Sequence, residues 1–277
     1  MKGTALITGA SSGIGLSMTK ILVADGWNLI VVGRNQESLE RIEADAAESN
    51  PDVKVTVILS DLGKDGAAQQ IYNDVESLGL QVDFLINCAG LGDFGPFAEC
   101  DLERQEMQVH VNDLALTSLT RLFLPGMIER GSGRILNVSS IAAFQPGPLM
   151  SVYYASKAYV LSFTEALAVE LRNTGVKVSV LCPGPTDTPF LAAAGQTEQN
   201  MFKKSACVTP DKVAEYGLKK TMKNKVVIVC GVSSKFLMFA ERLLPRCVVR
   251  RVVYFIQSKP SPEAKKRAKA EKKQNRQ

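Results

Sequence analysis

Residues 4–15 read Thr4-Ala5-Leu6-Ile7-Thr8-Gly9-Ala10-Ser11-Ser12-Gly13-Ile14-Gly15: an apolar run that ends in glycines and continues into the helical pattern Ile14–Asp25. Glycines at a strand-to-helix turn let the backbone come close to a pyrophosphate. The helix that follows offers free N–H groups and the positive end of its dipole. The spacing G-x-x-x-G-x-G, at Gly9, Gly13 and Gly15, differs from the G-x-G-x-x-G fingerprint, and no G-K-[ST] follows it, so a nucleoside triphosphate is not indicated. The cluster gains its weight from context, a strand before it and a helix after it at the head of a βαβ unit.

The same alternation continues downstream. Apolar runs rich in Val, Ile and Leu lie at Thr4–Thr8, Asn28–Val32, Val53–Ile58, Phe84–Asn87, Arg134–Val138, Lys177–Leu181 and Val226–Cys230. Near-continuous apolar character suits parallel strands covered on both faces. Between them lie the helical patterns Glu37–Glu48, Ala67–Leu78, Leu102–Arg130 and Val152–Thr174. Repeated strand–helix units imply right-handed crossovers and an α/β fold, a doubly wound seven-stranded parallel sheet with helices on both faces. No linker-like stretch interrupts residues 1–232, so these form one domain, with 233–277 as an extension.

The second strand ends in Val31-Val32-Gly33-Arg34-Asn35. An NAD site places a carboxylate here for the ribose 2′-hydroxyl, whereas a cation suits the 2′-phosphate of NADP; Arg34 therefore points to NADP(H).

Composition narrows the classes. Of 277 residues, 45% are hydrophobic and 22% charged, which suits a globular chain with a sizeable core. The six cysteines show no ligand spacing and there is one histidine, so no metal site is expected, and His110 reads as a partly packed helix residue. The chain opens directly on a strand, without the pattern of a signal peptide, which reads as cytoplasmic. The net charge is +5, yet residues 233–277 carry thirteen Lys/Arg against three Glu, a local +10 that leaves −5 for the rest. A basic surface on the main domain is thus not expected, nor is nucleic acid as its partner.

Tyr153 and Lys157 stand four apart in Tyr153-Tyr154-Ala155-Ser156-Lys157, so on a helix they share a face. A cation near a phenol favours the phenolate, making the pair a proton donor and acceptor. With this pair, the Thr8–Gly15 turn, Asp61-Leu62, Asn87-Cys88-Ala89-Gly90, Asn112, Asn137-Val138-Ser139-Ser140 and Pro183-Gly184, the chain resembles the classical short-chain dehydrogenase/reductase family, in the family's order over about residues 3–231.

The resemblance implies a Rossmann fold and a catalytic tetrad. Tyr153 would be the proton donor in reduction and base in oxidation. Lys157 would lower the pKa of Tyr153 and bind the nicotinamide ribose. Ser140, preferred to Ser139 for its spacing to Tyr153, would polarise the substrate carbonyl, and Asn112 would hold a relay water. It places Gly9, Ser11, Ser12, Gly13, Ile14 and Gly15 around the coenzyme. Arg34 and Asn35 join them at the second strand, with Asp61 and Leu62 at the adenine and Asn87, Ala89 and Gly90 along the coenzyme. Pro183, Gly184, Thr186 and Thr188 would meet the carboxamide. It also implies a homodimer or homotetramer, and a substrate lid over the segment from Phe190 to Val208, whose apolar content suits a hydrophobic carbonyl or alcohol such as a 3-oxoacyl or steroid-like compound. Cys88 replaces a residue that is often Asn in the family.

Beyond the seventh strand, apolar residues from Phe236 to Ile256 recur at helical spacing among Lys235, Arg242, Arg246, Arg250 and Arg251, with Pro245 expected to split the run into two helices. Such a basic amphipathic segment can lie on an anionic membrane surface, or pack over the cleft or a dimer partner; the pattern leaves these open. Residues 259–277 read as a polar basic tail. The rival reading of the whole chain is an NADPH-binding, membrane-associated interaction or sensor protein with little turnover.

Overall fold

The computed structural model of the protein describes residues 2–195 and 208–258. Its centre is a sheet of seven parallel strands: β1 (Thr4–Thr8), β2 (Asn28–Gly33), β3 (Val55–Leu59), β4 (Phe84–Asn87), β5 (Gly133–Val138), β6 (Val176–Cys182) and β7 (Val227–Val229), in the order β3-β2-β1-β4-β5-β6-β7. The expected strands all form, with ends displaced by one or two residues. The direction of winding reverses between β1 and β4, paired from Ala5↔Phe84 to Thr8↔Asn87, so a crevice opens outside their carboxyl ends.

Alternation along the strands divides the core in two. Ala5, Ile7, Leu29 and Val31 face one side, where they pack with Met18 and Leu22 of α1 (Gly13–Ala24), Leu39 of α2 (Gln36–Ser49) and Leu218 of α8 (Pro210–Thr221). Leu6, Ile30 and Val32 face the other. There they meet α3 (Ala67–Ser77), α5 (Leu116–Glu129) and α6 (Ser151–Glu170) through Ile71, Leu119 and Leu167. Successive side chains of a strand point to opposite faces, which is why both layers read as apolar in one strand.

The long pattern Leu102–Arg130 is not one helix. It forms α4 (Leu102–Val109), a π turn over His110–Ala115, and α5. A π turn shifts the register by one residue, and it places Asn112 inward. The short α7 (Pro189–Ala193) follows β6, and Pro245 separates α9 (Val232–Leu243) from α10 (Arg246–Gln257) as its fixed geometry leads one to expect. Most of the expected lid, 196–207, and the basic tail, 259–277, lie outside the described residues. Among the described residues no helix is long and apolar enough to cross a membrane.

Candidate active site

Gly9 leaves β1 with φ +69°, a left-handed conformation that glycine adopts without strain, and its N–H donates to Val32 O at 3.0 Å. A Cβ on Gly9 would stand 2.9 Å from Ala89 Cα, and one on Gly15 would stand 2.2 Å from Gly9 O. These contacts hold α1 against the turn, and Ser12, the residue before the helix, makes no side-chain cap. The first N–H groups of α1 are therefore left facing the crevice, where an anion is favoured. Thr8 Oγ1 accepts from the N–H groups of Cys88 and Ala89, both at 3.1 Å, locking the ends of β1 and β4 together.

A cavity of about 510 Å³ runs from this turn towards α10. Gly9, Ser12, Gly13, Ile14, Gly15, Arg34, Ala89 and Gly90 line it at the β1 side, with Pro183, Gly184, Thr186 and Thr188 across from them. Among the described residues, Arg34 is the one charged side chain lining that end, and no carboxylate from β2 joins it. The glycine cradle, the uncapped helix end and Arg34 together fit a phosphorylated dinucleotide.

Ser140, Tyr153 and Lys157 meet deeper in the same cavity. Ser140 hydrogen-bonds the Tyr153 hydroxyl, and its own Oγ accepts from Ala142 N at 3.1 Å. Ser139 is engaged instead with the backbone, donating to Lys157 O at 2.7 Å. The Lys157 ammonium lies 5.8 Å from the Tyr153 ring centroid and donates to Val138 O at 3.0 Å. Helical spacing leads one to expect the phenol to be lowered by Lys157. Burial instead dominates and pushes Tyr153 up to about 12, opposed by the Ser140 hydrogen bond. Burial also lowers Lys157, which nearby Cys88, Asp113 and Cys182 partly offset. The Cys88 thiol, buried beside Lys157, is pushed up to about 12 and stays protonated.

Other expected residues lie outside the cavity lining. Asn112 is buried; its Oδ1 accepts from Leu91 N at 2.8 Å, and its Nδ2 donates to Leu91 O at 3.0 Å and Ser156 Oγ at 2.9 Å. Asn112 and Lys157 both approach Gly90, where a Cβ would lie 3.3 Å from each. Asn87 donates to Thr120 Oγ1 and to Asn137 Oδ1, and Asn137 donates on to Thr164, a polar chain under the site. Asn35 caps α2 by accepting from Ser38 N, Asp61 accepts from Gly63 N at 3.0 Å, and Leu62 is buried. These residues and Ser11 do not line the cavity. His110 faces Asp65 on the π turn, with Nδ1 and Oδ1 3.6 Å apart, outside it.

The far wall comes from the extension. Val249, Val253 and Gln257 of α10 are buried, and the two valines pack with Met150, Tyr154 and Ala142, while Phe190 of α7 lies 5.3 Å, centroid to centroid, from Tyr153. Gln257 Nε2 donates to the Tyr154 hydroxyl, and Glu241 of α9 also lines the cavity. Of the three placements open for the extension, the inner face of α10 takes the one over the cleft. Tyr154, Glu241 and Gln257 were not singled out from the sequence as site residues. The repeat 249-253-257 was a visible signal of a shared face, but nothing local told what that face would meet.

The short chain dehydrogenase family matches residues 3–199. A ketoacyl reductase of Nostoc sp. is 34% identical over 230 residues, 82% of this chain and 77% of that one. A very-long-chain 3-oxoacyl-CoA reductase of Pyrenophora tritici-repentis is 38% identical over 183 residues, 64% of this chain and 53% of its own length. The structure of a short-chain dehydrogenase from Sphingobium yanoikuyae in complex with NADPH superposes with a TM-score of 0.78 at 27% identity, covering 87% of this chain and 93% of that one. With the matched family spanning most of the sheet, and its glycine turn opening on the same cavity as Tyr153 and Lys157, the chain belongs to the short-chain dehydrogenase/reductase family.

Proposed function

We propose that the protein is an NADP(H)-dependent oxidoreductase that reduces the carbonyl of a hydrophobic substrate, or oxidises the corresponding alcohol. The observation that carries this reading is the convergence of Ser140, Tyr153 and Lys157 in one cavity with the glycine turn and Arg34. Gly9, Ser12, Gly13 and Ile14 would hold the pyrophosphate, Arg34 the 2′-phosphate, and Lys157 the nicotinamide ribose. Once bound, the coenzyme supplies the hydride. Ser140 and Tyr153 both offer a hydroxyl to the substrate oxygen, and Tyr153 then gives up its proton there. Lys157 stabilises the negative charge left on the phenol. A phenol held protonated by burial suits the reducing direction.

The apolar wall of Met150, Phe190, Leu191, Val249 and Val253 supports a greasy substrate, and the names of the reductases from Nostoc and Pyrenophora support a 3-oxoacyl chain. Residues 1–232 would carry catalysis, and 233–277 would close the cavity. Exposed Leu102, Met107, Val109 and Leu114 on α4 and the π turn support a homodimer or homotetramer. The outer face of α9 keeps Phe236, Phe239 and Leu243 exposed, and Lys235 on the same helix is exposed as well; this supports peripheral contact with anionic lipid.

The test is oxidation of NADPH across 3-oxoacyl thioesters, steroid ketones and simple ketones of rising chain length. Rates should climb with chain length. Tyr153→Phe should lower them by roughly 10²–10⁴-fold while leaving NADPH affinity unchanged. Full activity in that variant would overturn the mechanism. Tight NADPH binding without turnover of any ketone would favour the sensor reading.

A further inference from the structure

Among the described residues, two acceptor atoms in the cavity have no donor. Glu241 Oε2 and Gln257 Oε1 are both buried with no hydrogen-bond partner among those residues, and both residues line the cavity from the extension. Gln257 is only 8% exposed, and its other polar atom is committed to the Tyr154 hydroxyl. The proton chemistry assigned to Ser140, Tyr153 and Lys157 uses neither residue. Their surroundings are apolar: Val249 and Val253 precede Gln257 on the same face of α10, and they cluster with Met150 and Ala142, which line the same cavity. In such a setting an acceptor left dry and unpaired is unfavourable, and natural interiors rarely keep one without a use. Burial also raises the Glu241 carboxyl, as it does the Tyr154 phenol beside it, which reaches about 12.

We propose that Glu241 and Gln257, with Tyr154, form a polar subsite that accepts a hydrogen-bond donor of the substrate, a hydroxyl or an amide N–H carried in addition to the reacting carbonyl. The inference rests on the oxidoreductase reading and narrows its substrate class to apolar carbonyl compounds with one such donor. The subsite does not contain the reacting residues: the ring of its own Tyr154 has its centroid 6.0 Å from that of Tyr153. Gln257 is oriented by its bond to Tyr154, which leaves Oε1 as the uncommitted atom of its amide. A site built to pair a substrate donor discriminates strongly against the analogue that lacks it, because the buried acceptors are then left unpaired. An alcohol on a fused-ring ketone and the amide of an acyl thioester arm share this chemistry.

Matched pairs separate the two sources. One pair is a hydroxylated steroid ketone and its methyl ether; the other is a 3-oxoacyl thioester of N-acetylcysteamine and its N-methylated counterpart. In at least one pair the donor-bearing member should be preferred 10-fold or more in kcat/KM, the difference lying in KM. It should also bind more tightly by calorimetry with NADP⁺ present, where no reduction can occur. A preference in the first pair alone assigns the ring alcohol, and in the second alone the acyl thioester. Glu241→Leu and Gln257→Leu should bring the ratio below 2-fold, and the isosteric Glu241→Gln should retain part of it. Equal affinity for both members in both pairs, or no binding of any of the four, overturns the proposal on the wild-type protein alone, whatever the variants do. Preferential binding without any Tyr153-dependent turnover would sink the oxidoreductase reading and leave the subsite standing.

Discussion

At Tyr153, burial and hydrogen bonding pull in opposite directions, and burial wins, raising the phenol from its ordinary 10 to about 12. A group so raised is fully protonated below pH 10 and loses its proton only as pH rises through about 12. On the proposed mechanism, the proton is therefore available for reduction over the whole neutral range. Steady-state kcat/KM for reduction should show no falling limb from this group between pH 7 and 10, and alcohol oxidation, which needs the phenolate, should still be rising there. A limb near pH 7–8 that disappears in Tyr153→Phe would mean that Lys157 sets the phenol in the free enzyme after all. Arg34 poses a simpler question, since it is exposed just past β2 and, among the described residues, no carboxylate lines the cavity beside it. A hydrogen bond to a charged group contributes about 1.5–3 kcal/mol. Arg34→Ala should therefore weaken NADPH binding roughly 10–100-fold and leave NADH unchanged, as fluorescence titration of both coenzymes would read. Equal losses for the two would remove the case for a 2′-phosphate contact.

Among the elements, α1 carries the tightest constraint. Gly15 approaches the Gly9 carbonyl so closely that any Cβ must displace the helix from the turn. Overpacking of this kind costs about 1–3 kcal/mol. Gly15→Ala should lower the melting temperature by several degrees and NADPH affinity by more than about 10-fold, because the displaced N–H groups are those offered to the pyrophosphate. An unchanged melting curve with full affinity would show that the turn is more plastic than its geometry implies. The π turn between α4 and α5 is the second such element. It turns Asn112 inward to three hydrogen bonds and leaves His110 outside. Hydrophobic periodicity over Leu102–Arg130 registers a helix but not the extra residue, since one widened turn barely disturbs an apolar stripe.

On the scale of the whole molecule, α9 and α10 close a cavity that the sheet alone leaves open. Deleting residues 233–277 should spare the sheet and coenzyme binding. The Michaelis constant for long-chain ketones should rise by about 10-fold or more, since several kcal/mol of apolar contact from Val249, Val253 and their neighbours would be lost. The same deletion removes a local charge of +10. If the proposed lipid contact holds, co-sedimentation with anionic vesicles should be seen with the full chain, weaken with salt and vanish with the deletion. Kinetics unaltered by the deletion would leave the extension no role at the cleft.

The seven strands, most of the helices, the break at Pro245 and the glycine turn were legible in the sequence because each depends on short-range regularities: alternation, helical spacing, and the φ values open to Gly and Pro. The pairing of Tyr153 with Lys157 was legible for the same reason, four residues on one helix face. The sign of the Tyr153 shift was not, because desolvation sums over everything packed around the phenol. Nor was the use made of Asn87, Asp61 and Asn35, whose partners are chosen by local packing rather than by motif. Least legible was the wall contributed by α10. Gln257 meets Tyr154 across 103 residues of chain, and amphipathic spacing says only that a helix has a face to bury. What that face covers is decided when the sheet has formed and offers the apolar cleft beside Met150 and Phe190.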